Sequence, residues 1–207
     1  MTSNSSHGPK KYSATKWPDS GKEKLTMRHS NVVYVIIRLP SADGPLLLLR
    51  RHEKWGDWSL VGGHVEEWEM DEWGLAAARE ATEELDPLVN GQDFVVAPIH
   101  AKPIIWGPEA SRSAQGQRTI YHIQYYVLTF LRDPVVLLSR LPATEFLLVP
   151  EREIGSAEQS FGRPVHRAYR FLQGDLDVVP RAWVEELDLQ ALPPSMHSSS
   201  RVVGQHR

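Results

Sequence analysis

Nine acidic side chains and a single base lie between Glu66 and Asp86, which puts a charge of −8 on 21 residues of a 207-residue chain whose total is −3. The rest of the chain therefore carries +5. Like charges at that density repel one another, so the segment calls for a cation or for a particular geometry. Residues 70–85 are rich in Ala, Glu and Leu and predict a helix. At about 100° per residue, Glu80, Glu83 and Glu84 fall on one stripe with no Lys among them, while Leu75, Ala78, Ala81 and Leu85 fall on the opposite side and are expected to pack on a sheet. Three carboxylates on one stripe suit a hard divalent cation such as Mg²⁺; a solvated acidic face is the other reading of the stripe alone. Upstream, Trp58-Ser-Leu-Val-Gly-Gly-His-Val-Glu66 places two glycines at the end of a predicted strand, where backbone can approach a ligand closely. Arg50, Arg51, His52 and Lys54 end the strand before it, either as phosphate contacts or as a solvated basic strand end.

The elements that must hold these groups are mostly strands. Asn31–Leu39 and Pro45–Arg50 are apolar runs joined by the turn Pro40-Ser-Ala-Asp-Gly44, which predicts a hairpin. Trp58–Val61, Phe94–Trp106, Arg118–Leu131, Pro134–Ser139 and Glu145–Val149 read as further strands, and helical patterns return at Val165–Leu172 and Arg181–Leu187. The expected fold is one α/β (α+β) domain over 31–155, preceded by a flexible basic arm (1–30, net +4), followed by a helical extension packed on the domain (156–192) and a flexible tail (193–207). The chain has no cysteine, so disulfides, thiolate metal sites and cysteine nucleophiles are excluded. No apolar run approaches the ~18 residues of a membrane span, and no secretory leader is visible, so a cytoplasmic protein is expected.

The string Gly63, five residues, Glu69, nine residues, Arg79-Glu80-Ala81-Thr82-Glu83-Glu84-Leu85 resembles the signature of the Nudix hydrolases, G-x5-E-x7-R-E-U-x-E-E-x-G-U. Three positions depart from it. The spacer before Arg79 is two residues longer, which reads as an insertion around Met70–Gly74; Asp86-Pro87 replaces the terminal glycine, so the helix exit is expected to be rebuilt; and Val61 replaces a frequent proline. The resemblance implies an α/β/α sandwich with a mixed sheet between helices. It also implies hydrolysis of a nucleoside diphosphate linked to another moiety, with Mg²⁺ or Mn²⁺ as cofactor. Carried over by residue, Glu80, Glu83 and Glu84 are the metal ligands, Glu83 and Glu84 together with Arg79 and Glu69 form the catalytic set, and Arg79 pairs with Glu69. Glu83 is a candidate for the base that takes a proton from water; Glu145 and Glu151 are weaker ones. Arg51 and His64 are expected to face substrate.

A catalytically silent Nudix-fold nucleotide sensor is the competing reading, and three intact carboxylates argue against it. A DNA-reading sensor would add a helical module. Residues 156–192 hold Arg163, Arg167, Arg170 and Arg181, but Gly162-Arg-Pro and Asp175–Asp177 break the pattern of a recognition helix, so DNA or RNA binding is not expected. Of the tryptophans, Trp55, Trp58, Trp68, Trp73 and Trp106 cluster in sequence around the site, where packing competes with stacking on a base. A homodimer is left open.

Overall fold

The computed structural model describes residues 27–114, 117–155, 161–174 and 188–197. The first strand, β1 (Arg28–Ile36), carries Val32, Val33, Val35 and Ile36, all buried, so it is a central strand covered on both faces. It pairs in parallel with β8 (Arg118–Phe130) and antiparallel with β5 (Val61–His64). On the other side of β8, β6 (Phe94–Pro98) and β7 (Ile104–Ala110) pair antiparallel with successive stretches of that long strand. The chain passes from β1 into β2 (Arg38–Leu39), which turns back through Ser41–Gly44 into β3 (Leu46–Arg51) as the expected hairpin. β3 also pairs antiparallel with β4 (Trp58–Ser59) and β9 (Phe146–Pro150), forming a second sheet.

Strand alternation sorts the apolar side chains into two clusters. Val33, Val35, Leu46, Leu48, Phe146 and Leu148 face helix α1 (Trp73–Glu84), and Ile36, Leu47, Leu49, Leu147 and Val149 face α3 (Glu151–Ile154) and α4 (Arg163–Gly174). Mixed sheet between helices is the expected α/β/α arrangement. Helix α1 lies close to its sheet because its contact residues are small: Ala76, Ala77 and Ala81 are fully buried, with Leu85 just past its end.

Several elements differ from the sequence reading. Pro134–Leu138 is a short helix, α2, because Asp133 accepts the Val135 N–H at 2.9 Å and Pro134 occupies the first turn, where its missing N–H leaves nothing unpaired. The long strand expected over Phe94–Trp106 is two, β6 and β7, separated by 99–103. The two glycines do not follow a strand but lie inside β5, opposite Val33 and Tyr34. Leu75 is exposed, because the packing face of α1 is rotated toward Ala76 and Ala77. Residues 28–30, expected in the arm, begin β1, and 193–197, expected in the tail, carry a helical turn whose Met196 is fully buried in the α1-side cluster. The expected helix at 181–187 and the arm before residue 27 lie outside the described residues.

Candidate functional site

The rotation of α1 sets the site. Glu80 and Glu84 are not opposite the packing face; they border it and meet the backbone of β5. Glu84 accepts the Gly62 N–H at 2.9 Å, and a Cβ built on Gly63 would stand 2.5 Å from Glu80 Oε1. The glycine pair therefore makes room for the helix's carboxylates. Glu83, one step round the helix, remains largely exposed.

Arg79 ties the preceding loop to the helix. Its Nε and Nη2 donate to the two oxygens of Glu69 at 2.9 Å each, Nη1 donates to Glu80 at 2.8 Å, and Nη2 also donates to the His64 carbonyl at 3.0 Å. Glu69 is fully buried on a helical turn, Glu67–Glu69, and also accepts the Glu66 N–H at 2.9 Å. Residues 70–72 link that turn to α1, and the Arg79–Glu69 pairing spans the spacer. Helix α1 ends at Glu84 and is capped by Leu85, whose N–H donates to the Ala81 carbonyl, and the Leu88 N–H closes a further turn on Leu85 at 2.8 Å.

The electrostatics divide this group. Arg79's hydrogen bonds hold the Glu69 carboxyl below its ordinary range against the opposing effect of burial, and the same pairing holds the Arg79 guanidinium up. Burial pushes the Glu84 carboxyl up to about 7, although the Gly62 N–H and the Arg50 guanidinium both favour its ionised form. Burial also raises Glu80 against the pull of Arg79, and it lowers His64, with Arg28 adding to the effect. Both carboxyls are raised chiefly by burial, which their guanidinium partners Arg79 and Arg50 only partly offset.

Two compartments meet here. One, of about 320 Å³, is lined by Glu53, Glu80, Glu83 and Glu84 with Arg50 and His52. The other, of about 310 Å³, lies across Gly62, Gly63 and His64 and carries six Lys or Arg side chains against three acidic ones. Arg51 and His64 line this second compartment, as do Tyr34, Trp55 and Tyr121. Arg50, His52 and Glu84 belong to both and form the shared wall. The far wall comes from α4, where Arg167 bonds Glu109 and lies over the rings of Trp106 and Tyr121, 5.0 and 5.5 Å from their centroids. Arg163 reaches Glu109 at 3.5 Å, and Arg112 bonds Asp57 at 2.7 Å and covers Trp55.

The structure thus brings together Glu69, Arg79, Glu80, Glu83 and Glu84, with Arg51 and His64 across Gly62–Gly63. It removes Glu151 from consideration: that side chain is buried at the other end of β3, paired with Arg38 at 2.8 Å. Glu145 does reach the site, 3.9 Å from Arg50. Sequence reading passed over Glu53, Glu109, Arg112 and the cleft-facing role of Arg163 and Arg167. Only Glu53, next to the Arg-Arg-His run, offered a local signal.

The NUDIX domain family model matches residues 27–140, more than half of the chain. The chain belongs to the Nudix family. Its match covers β1 through α2 and leaves α4 outside. Among solved structures, a Nudix hydrolase of M. smegmatis, RenU, is similar over 73% of this chain and 88% of its own (17% identity, TM-score 0.44). The C. elegans Ap4A hydrolase is similar over 70% and 98% (20%, 0.46), and the NUDIX domain of Shewanella oneidensis NrtR, in complex with ADP ribose, over 72% and 88% (10%, 0.47). No curated protein matches.

A divalent cation is the cofactor of the Nudix reaction that the sequence resemblance implies, and the acidic compartment offers it carboxylate oxygens without competing sulfur ligands. Among the described residues, no three acidic or histidine side chains already converge on one point; Arg79 pairs with Glu80, and Arg50 with Glu84. The donor set fits a hard cation, and the burial-raised carboxyls of Glu80 and Glu84 would be relieved by one.

Proposed function

We propose that this Nudix protein is a metal-dependent hydrolase that cleaves a phosphoanhydride bond in a nucleoside diphosphate linked to another moiety. The observation that carries the reading is the shared wall: a compartment lined by four glutamates abuts a compartment with twice as many basic as acidic side chains, and Glu84 belongs to both. Glu80, Glu83 and Glu84 would hold Mg²⁺ or Mn²⁺, which when bound would offset the diphosphate's charge and lower the pKa of a water. Arg79 fixes Glu80 and, through Glu69, the loop that precedes the helix. Glu83, the most exposed of the three and paired with Arg79 at 3.5 Å, is the candidate to accept a proton from the attacking water. Arg51, with no ion pair among the described residues, and His64 face the substrate from the cationic side.

The test is a hydrolysis screen with Mg²⁺ and Mn²⁺ over ADP-ribose, nucleotide sugars, dinucleoside polyphosphates, NADH, coenzyme A and nucleoside triphosphates, with Glu84→Gln as control. Loss of at least about 100-fold in kcat is expected for the variant, since it removes a ligand of the metal that offsets the charge of the reacting phosphates. Full activity in Glu84→Gln defeats the metal assignment. Tight binding of one compound without turnover defeats the enzyme reading in favour of a sensor.

A further inference from the structure

Between the acidic and the cationic compartment stands one guanidinium. Arg50 Nη1 donates to Glu84 Oε1 at 2.9 Å, Nη2 donates to Glu53 Oε1 at 3.2 Å, and Glu145 Oε2 lies 3.9 Å from Nη2. The three carboxylates come from α1, from the loop after β3 and from the residue before β9, and a single cation gathers them. The side chain is only 16% exposed, and its Nε is buried without a hydrogen-bond partner. Its backbone is fixed: Arg50 is paired with Ser59 on one strand and with Phe146 on the other. Only the side chain has freedom to move, and it lines both compartments.

A guanidinium and a divalent ion compete for Glu84. Both are cations, both are drawn to the Glu84 carboxylate, and in a partly buried site their mutual repulsion is weakly screened. We propose that Arg50 is an internal counter-ion that holds Glu84 in place before metal arrives and, once displaced by metal, turns into the cationic compartment as a ligand for the substrate's phosphate. This rests on the metal reading above.

The donor inventory fits both states. In the first, two of Arg50's nitrogens are satisfied by carboxylates and Nε is left over. In the second, a phosphate offers a planar fork several oxygens at once, so the unused donor gains an acceptor. Metal and phosphate binding then help each other through one side chain, because the metal releases the group that the phosphate needs. Coupling of this kind is reciprocal, and each ligand tightens the other by the same factor. Arg50 is in this account a positioning residue for Glu84 and a substrate contact only after the exchange.

The experiment measures Mn²⁺ binding to the full chain by calorimetry without substrate, then binding of imidodiphosphate, which does not hydrolyse, at saturating Mn²⁺. Melting curves confirm that each variant is folded. Arg50→Met keeps most of the apolar stem, and Arg50→Gln is a second neutral replacement. Both are expected to bind Mn²⁺ about tenfold more tightly than the wild type and imidodiphosphate about tenfold more weakly. Arg50→Lys leaves a cation beside Glu84 and is expected to keep the wild-type Mn²⁺ affinity while losing imidodiphosphate affinity, a split that general loss of packing does not produce. Unchanged or weakened Mn²⁺ binding in the neutral variants overturns the counter-ion role. If Glu84→Gln abolishes Mn²⁺ binding in the same assay, that failure leaves the metal reading standing. If the wild type itself binds no Mn²⁺, both fall together.

Discussion

Glu69 and Glu84 are glutamates of one motif, yet their surroundings give them opposite titration behaviour. Glu69 is fully buried but answered on both oxygens by Arg79, so its carboxyl titrates below its ordinary value of 4.5. Its contribution to stability is therefore complete above pH 4.5 and disappears as the pH falls below that value. Glu84 and Glu80 are raised instead, so they favour the folded state most below pH 4.5 and lose that contribution as the pH rises, for Glu84 toward about 7. Glu69→Gln separates the two trends. It leaves the Arg79 guanidinium facing a neutral amide in a partly buried place, and a loss of about 3 kcal/mol is expected at pH 7, as for other broken buried pairs. Urea denaturation of the metal-free protein across pH 3–7 checks this: the deficit relative to wild type should shrink below pH 4.5, where Glu69 itself becomes protonated. A deficit that stays constant with pH would mean that the carboxylate's charge is not what holds Arg79.

At the scale of elements, the legible part of the fold was whatever alternation and turn residues encode locally. The hairpin around Pro40–Gly44, the long β8 and the helix carrying the acidic stripe were all readable. Local pattern failed where tertiary contacts decide. Pro134–Leu138 is as apolar as a strand, and only its Asp133 cap marks it as a helix. Of the side expected to pack, Ala81 and Leu85 are buried but Leu75 is not, because angular spacing alone could not show that Ala76 and Ala77 let the helix settle against β5 with Glu80 and Glu84 at the contact. The carboxylate set was visible because it is contiguous in sequence. Of the cationic compartment only the β3 end was visible, through Arg50, Arg51 and Lys54; Arg112 and the α4 residues Arg163 and Arg167 lie far along the chain and only the fold brings them there. The glycine pair in β5 tests the geometry directly. Gly62 has φ +140°, and a Cβ there would stand 2.2 Å from the Val33 carbonyl oxygen of the adjacent strand. Gly62→Ala should therefore cost about 3 kcal/mol or more in stability, as strained backbone and overpacking combine. At Gly63 the obstacle is the flexible end of Glu80. Gly63→Ala should melt within a few degrees of wild type and yet bind Mn²⁺ at least about tenfold more weakly, because it displaces a carboxylate and leaves the strand intact. Equal melting losses at the two positions would contradict the close approach of Glu80 to β5.

For the molecule as a whole, the net charge of −3 conceals a dipolar arrangement in which a patch of −8 borders a cleft with a surplus of three cations. A polyanion approaching the metal-free patch is repelled; approaching across the cleft it is attracted, and bound metal removes the repulsion on the acidic side. Association should then depend on salt. With Mg²⁺ held constant, kcat/KM for whichever diphosphate the screen identifies is expected to fall as NaCl rises from 50 to 500 mM, while kcat stays nearly flat, because screening acts on encounter more than on groups already in contact. Lys54 is the side chain to alter. It lines the cleft, is exposed, and has no carboxylate partner among the described residues, only the face of Trp55 at 4.8 Å. Reversal by Lys54→Glu changes the cleft by two charges without touching the acidic stripe, and KM should rise by about fivefold to tenfold, with a shallower salt dependence and kcat within about twofold of wild type. If kcat falls as far as kcat/KM in that variant, Lys54 contacts the reacting phosphates and the cleft is part of the chemistry. If neither changes, the surplus charge around Trp55 lies off the substrate's path, and the anionic part of the substrate must enter past Arg112 and Arg163 on the α4 side.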